Sequence, residues 1–150
     1  MKIRNIELPQ DEEQVLLGMR DFISRMDYTE FLPEDDQELL NSLNRMLSLD
    51  CVSVYVVEDG SSIVGGIGMV YAPSLWDFNA INAEELFWWS SPTAPPTATL
   101  RLLRHVVVEA KKKGCKLFTF KALTTSPASI DKVYRRMGLV PIETAYMGVC

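Results

Sequence analysis

The stretch EELFWWSSPTAPPTATLRLLRHVVVEAKKKGCKLFTFK, Glu84 to Lys121, constrains the fold more than any other part of the chain. It opens on a short apolar run, continues through a segment with helical apolar spacing, and closes on the alternating run KLFTFK. That is strand, helix, strand, and a helix-long crossover returns the second strand parallel to the first. Leu100, Leu103, Val107 and Ala110 predict the core stripe of a helix over about Thr97–Lys113. Lys111–Lys113 suit its last turn and Gly114 its cap. Four successive apolar residues, LFWW, predict a strand over Glu84–Ser90 that is buried on both faces.

Upstream the connections are tight. VSVYVVE, Val52–Glu58, and IVGGIGMVY, Ile63–Tyr71, flank Asp59-Gly60-Ser61-Ser62. Asp-Gly reaches positive φ cheaply, so these two strands form an antiparallel hairpin. Gly65, Gly66 and Gly68 imply a bulge or close packing within the second strand. They do not form a dinucleotide fingerprint, because they lie inside a strand rather than at a strand-to-helix turn. Ala72–Asn82 reads as a long loop in which Trp76 and Phe78 are candidates for exposed apolar contact. Lys2–Glu7 alternates as a first strand. Helices follow at about Asp11–Met26 and Glu34–Ser48, with a loop over Asp27–Pro33 between them. A last helix is expected over Pro127–Met137, with Ser126 as N-cap and Pro127 in its first turn, before a final strand Val140–Val149.

The expected order is therefore β-α-α-β-β-β-α-β-α-β. The fold class is α/β in the mixed sense: one domain over 1–150, with about six mostly antiparallel strands and helices on both faces. Hydrophobic residues at 47% suit a single core of this size. No apolar run approaches the roughly 20 residues of a membrane span, and MKIRNIELPQDEEQ has no signal-peptide core. A cytoplasmic, non-membrane protein is expected. A net charge of −5 argues against a nucleic-acid partner. Cys51, Cys115 and Cys150 stand apart without a CxxC, and His105 is the sole histidine, so reduced, mostly buried thiols and no metal site are expected. His105, mid-helix, reads as structural.

That element order, with EELFWWSSP before LRLLRHVVVEAKKKGC and with VYRRMGLVPIETAYMGV near the end, resembles the GNAT family of acyl-CoA-dependent N-acyltransferases. The segment around Tyr134 is similar to that family's Y-x-[RK]-x-G-F signature. The strand, proline and LRLL helix look like those of small GNAT-like proteins of bacteriophage genomes. The resemblance implies acetyl-CoA as cofactor and transfer to an amine. It implies a carboxylate base on the strand at Glu84 or Glu85, which alternate in facing, and Tyr134 as acid for the leaving thiolate. It also implies cofactor contacts from the backbone of Ser90 and Ser91.

The same family holds the cofactor pyrophosphate on a loop of type [QR]-x-x-G-x-[GA], where successive N–H groups meet the anion at a helix N-terminus. Here that place reads Thr93-Ala94-Pro95-Pro96-Thr97-Ala98-Thr99, without glycine, and Pro95 and Pro96 have no N–H. Thr97, Ala98 and Thr99, with Arg101 and Arg104 a turn on, are what remains to meet an anion. Two functions follow. One is an N-acetyltransferase of weakened or absent catalysis. The other is a non-catalytic interaction protein on the same fold, such as a phage virion component or accessory protein with a protein partner.

Overall fold

The computed structural model describes residues 1–27 and 32–146. The elements are β1 Lys2–Asn5, α1 Glu12–Ile23, α2 Asp36–Leu47, β2 Val52–Asp59, β3 Ser62–Pro73, β4 Ile81–Ser90, α3 Pro96–Lys112, β5 Leu117–Thr119 and α4 Ser129–Arg136. The five strands lie in chain order across one sheet. The pairs β1·β2, β2·β3 and β3·β4 are antiparallel, and β4·β5 is parallel. The tight hairpin and the helical crossover thus give the two pairing senses expected of them.

The sheet has five strands rather than about six. Residues 140–146 form no strand, and 147–149 of the expected final strand lie outside the described residues. Val140, Ile142 and Tyr146 alternate as a strand should but remain exposed. Alternation alone does not supply a partner edge. The last helix is shorter than expected at both ends. Ser126 is not its N-cap, because its Oγ accepts the Leu123 N–H at 2.9 Å and closes the preceding loop instead. Cys51 is exposed and Cys115 only half-buried, against the expectation of buried thiols, while Cys150 lies outside the described residues.

Helices α3 and α4 cover one face of the sheet. Their core holds Tyr55, Val57, Ile67, Met69, Ala83, Leu102, Leu103, Val106 and Tyr134. Helices α1 and α2 cover the other with Val15, Met19, Leu39, Leu43, Val54, Val56, Phe87 and Trp89. The buried stripe of α3 is Ala98, Leu102, Leu103, Val106 and Ala110. It is turned about one residue from the Leu100, Leu103, Val107 set, because an apolar run as dense as LRLLRHVVV fits two neighbouring stripes and the sheet selects one.

The glycines explain how α1 sits so low on the sheet. A Cβ on Gly18 would meet the Trp89 ring at 2.4 Å, and one on Gly66 would meet its Nε1 at 2.9 Å. The indole is clamped between helix and strand. On β3 a Cβ at Gly68 would strike Phe87 at 2.6 Å. These glycines give room to two aromatic rings of the neighbouring strand.

At the edge, Arg4 donates to both carboxylate oxygens of Asp11, at 2.6 and 2.8 Å, and to Glu58 at 2.5 Å. This ties β1 and β2 to the start of α1. The Asp11 carboxylate, held by Arg4 and by the Glu7 N–H, lies below its ordinary pKa.

Candidate functional site

Strand β4 is where sequence alternation fails. Met69 pairs with Glu85 and Gly68 with Phe87, so Leu86 has no partner and the strand bulges. Before the bulge, Ala83 and Glu85 point to the α3/α4 face. After it, Phe87 and Trp89 point to the α1/α2 face, while Trp88 returns to the α3/α4 side. The strand is therefore not buried on both faces throughout. Glu84 is exposed, Glu85 is buried, and Leu86 is partly in water.

The bulge coincides with a parting of strands. β4 pairs with β5 only from Asn82↔Leu117 to Glu84↔Thr119, although β4 runs on to Ser90. Where the next rung would form, the Lys121 N–H donates at 2.9 Å to Oε2 of Glu85 rather than to backbone. The carbonyl of the same Lys121 accepts the Tyr134 hydroxyl at 2.9 Å. One peptide residue thus holds a carboxylate on one side and a phenol on the other. Phe120 stacks on the Tyr134 ring at 5.6 Å and fixes its plane.

Burial sets the proton affinities. Glu85 is 4% exposed, and loss of solvent pushes its carboxyl up to about 7, with the Lys121 N–H and ammonium pulling weakly the other way. The Tyr134 phenol is pushed above its ordinary value, first by burial and then by the Glu85 charge, with Trp88 opposing. A carboxyl that titrates near neutrality is suited to accept a proton at physiological pH. The raised phenol keeps its own proton and acts as a hydrogen-bond donor. Of the two adjacent glutamates, Glu85 faces this interior and Glu84, opposite Thr119, faces water on the other side.

Five residues further along β4, roughly 16 Å on at strand rise, the chain enters the proline loop. Four of its backbone donors are spent internally. The Ser91 N–H donates to the Val64 carbonyl, Ala94 N–H to Ser91, and Ala98 N–H to Pro95. Thr93 N–H donates to the Ser91 hydroxyl. Ser90 is paired in the ladder with Gly65. Ser91 and Ala98 therefore have no N–H to offer an anion. Thr97 is exposed and Thr99 half-buried at the head of α3, Arg104 is exposed, and exposed Arg101 donates to the Met1 carbonyl at 3.3 Å. The Thr97 N–H, the Thr97 and Thr99 hydroxyls and the two arginines remain at the loop to meet an anion. His105 packs edge-on against Tyr55 at 5.2 Å. Among the described residues no group of three or more His, Cys, Asp or Glu could hold a metal ion. No helix there is long and apolar enough to cross a membrane.

The fold as a whole is similar to that of a group of solved structures. A transcriptional regulator from Bacillus halodurans C-125 is 20% identical, over 99% of each chain, with a TM-score of 0.82. A GNAT family acetyltransferase from Staphylococcus aureus subsp. aureus USA300_TCH1516 is 17% identical, over 99% of this chain and 98% of that one, with a TM-score of 0.75. This is the GNAT acetyltransferase fold. A predicted acetyltransferase from Clostridium acetobutylicum, solved with acetyl-CoA, shares the GNAT fold at 15% identity, over 99% of this chain and 95% of that one, with a TM-score of 0.71. No protein-family model and no curated protein matches the sequence.

Sequence reasoning placed Glu85 and Tyr134 as candidates but missed Lys121, which joins them through its backbone. Its side-chain type carries no signal for that role. The bulge at Leu86 left only a faint trace, the crowding of glycines in the facing strand.

Proposed function

We propose that this protein is an acyl-CoA-dependent N-acyltransferase with a weakened hold on the cofactor's pyrophosphate. The observation that carries the reading is the Glu85–Lys121–Tyr134 constellation at the parting of β4 and β5. Acyl-CoA, when bound, supplies an activated acyl carbon. Glu85 accepts the proton that the acceptor amine loses as its nitrogen bonds to that carbon and the carbon–sulfur bond breaks. A base of pKa about 7 is half-ready at neutral pH and accepts the proton without a large mismatch. Tyr134 turns its hydroxyl from the Lys121 carbonyl toward the leaving sulfur, stabilising the thiolate by donation until solvent protonates it. Burial of both groups strengthens these interactions relative to water.

One observation favours a second reading, a non-catalytic binding protein on the same fold, including a phage accessory or virion role. The loop that should meet the pyrophosphate has three prolines, and its Ser91, Ala94 and Ala98 N–H groups are internally bonded. Calorimetric titration with acetyl-CoA separates the two. The enzyme reading expects saturable binding, weaker after Arg104→Ala, and turnover with an amine acceptor that rises with pH to a plateau above about 7. No heat at millimolar acetyl-CoA sinks it in favour of the binding protein.

A further inference from the structure

The turn between β3 and β4 carries Leu75, Trp76 and Phe78 into water, 88, 95 and 78% exposed. Exposure this complete means that neighbouring residues cover almost nothing of each side chain. The anchors of a protein interface are desolvated in pockets ringed by other contacts. A rigid partner would need a separate pocket for each of these three side chains, whereas a fluid bilayer closes round all of them at once. The backbone of the turn suits the same medium, because lipid offers a peptide group no hydrogen bonds. Ser74 N–H donates to the Ala80 carbonyl at 2.8 Å and Ala80 N–H to the Asp77 carbonyl at 2.9 Å. Trp76 N–H donates to the Ser74 hydroxyl at 3.3 Å and Asn79 N–H to Asp77 Oδ1 at 3.0 Å, which holds that carboxylate against the turn's own backbone.

Lysines gather at the same end of the molecule. Lys116 N–H donates to the Ile81 carbonyl at 2.8 Å and ties the segment after α3 to the foot of the turn. Lys111, Lys112 and Lys113, at the end of α3, are exposed, as is Lys116. Lys113 Nζ lies 4.7 Å from the ring centroid of Tyr71, close to where β3 enters the turn. Of the acids at this end, Glu109 is taken up by Lys112 at 2.7 Å, leaving Asp50 and the turned-back Asp77. Over residues 101–136 the chain has ten Lys and Arg against Glu109 and Asp131 alone, although the whole carries −5. The local field therefore favours an anionic surface despite the negative total.

We propose that this end of the molecule docks peripherally on an anionic lipid bilayer, with Leu75, Trp76 and Phe78 in the boundary between headgroups and acyl chains and Lys111, Lys113 and Lys116 at the level of the lipid phosphates. Tryptophan favours that depth because its ring is amphipathic. A short apolar insertion and a few lysines are each weak alone, and together they give reversible attachment without a spanning helix. The two signals lie on separate stretches, residues 75–78 and 111–116, which the fold brings to one end. Glu85 sits four residues up β4 from Ile81, roughly 13 Å at strand rise, so its site stays clear of the bilayer. The attachment is independent of the acyl-transfer reading.

Flotation with vesicles of phosphatidylcholine containing about 30% phosphatidylserine tests it. The wild type should float with them, and its tryptophan emission should move to shorter wavelength as Trp76 leaves water. The double variant Trp76→Ser, Phe78→Ser should bind at least ~10-fold more weakly, with unchanged far-UV circular dichroism because both side chains stand in water. Lys111→Gln with Lys116→Gln should weaken binding about 25-fold, each lysine being worth about fivefold at an anionic surface. No flotation at about 1 mM lipid, tenfold above what a single weak anchor of about 10⁴ M⁻¹ requires, overturns the proposal. Flotation that the Trp76, Phe78 variant retains in full overturns it equally. Self-association of the lipid-free chain that this variant abolishes would give the turn to a second copy and overturn it as well.

Discussion

Replacing Glu85 by glutamine should make the protein more stable and less active, and only at neutral or alkaline pH. The folded carboxyl titrates near 7 against an ordinary value of 4.5. Its folded pKa is raised, so the folded state binds more protons than the unfolded one between those values, and stability falls as pH rises through that window. At about 1.36 kcal/mol per unit, the ionised Glu85 costs the fold roughly 3 kcal/mol above pH 7 and nothing below about pH 4. Glutamine has nearly the same shape, still accepts the Lys121 N–H, and carries no charge to desolvate. Glu85→Gln should therefore match the wild type near pH 4 and exceed it by about 3 kcal/mol at pH 8, or roughly 6–12 °C in Tm for a chain of this length. Urea unfolding of both proteins across pH 4 to 8 measures the difference, and other carboxylates cancel because both proteins share them. A gap that stays constant with pH, or a variant less stable at pH 8, would falsify the burial of an ionisable base here. Turnover should fall in the same variant, since stability and function draw on Glu85 in opposite directions.

Three further outcomes follow. Tyr134→Phe leaves the Lys121 carbonyl without its donor, costing about 1–3 kcal/mol in chemical denaturation, and should slow acyl transfer with little change in acetyl-CoA affinity by calorimetry. Pro95→Gly restores an N–H at the head of α3, and one charge-assisted hydrogen bond of about 1.5–3 kcal/mol should tighten acetyl-CoA at least ~10-fold in the same titration. Arg4→Met strands the buried Asp11 carboxylate, a loss of about 3–5 kcal/mol near neutral pH. Because Asp11 is held below its ordinary pKa, the wild-type contribution is present above about pH 4 and is lost as pH falls further. The Arg4→Met deficit should shrink over the same range in acid unfolding curves.

The parts of this protein legible in the sequence are those decided locally. The Asp59-Gly60 hairpin, the amphipathic α1 and α2 and the parallel crossover through α3 all follow from spacing over a few residues. That VYRR lies on the last helix was legible in the same way. The final strand misled for a related reason: alternation in Val140–Tyr146 is a local property, whereas a strand needs a neighbouring edge. The exposed Trp76 and Phe78 were legible because a long turn offers nothing to cover them.

The sequence by itself also determines what the loop Ser91–Thr99 lacks. Proline has no N–H in any conformation, so no folding can restore those donors. Only the tertiary structure decides which glutamate faces the interior. One unpaired residue, Leu86, shifts the facing of β4, and the parting of β4 from β5 leaves the Lys121 N–H free to take the Glu85 carboxylate. Burial beneath α3 and α4 then raises its pKa, and burial depends on residues brought together from distant parts of the chain, which no local spacing records.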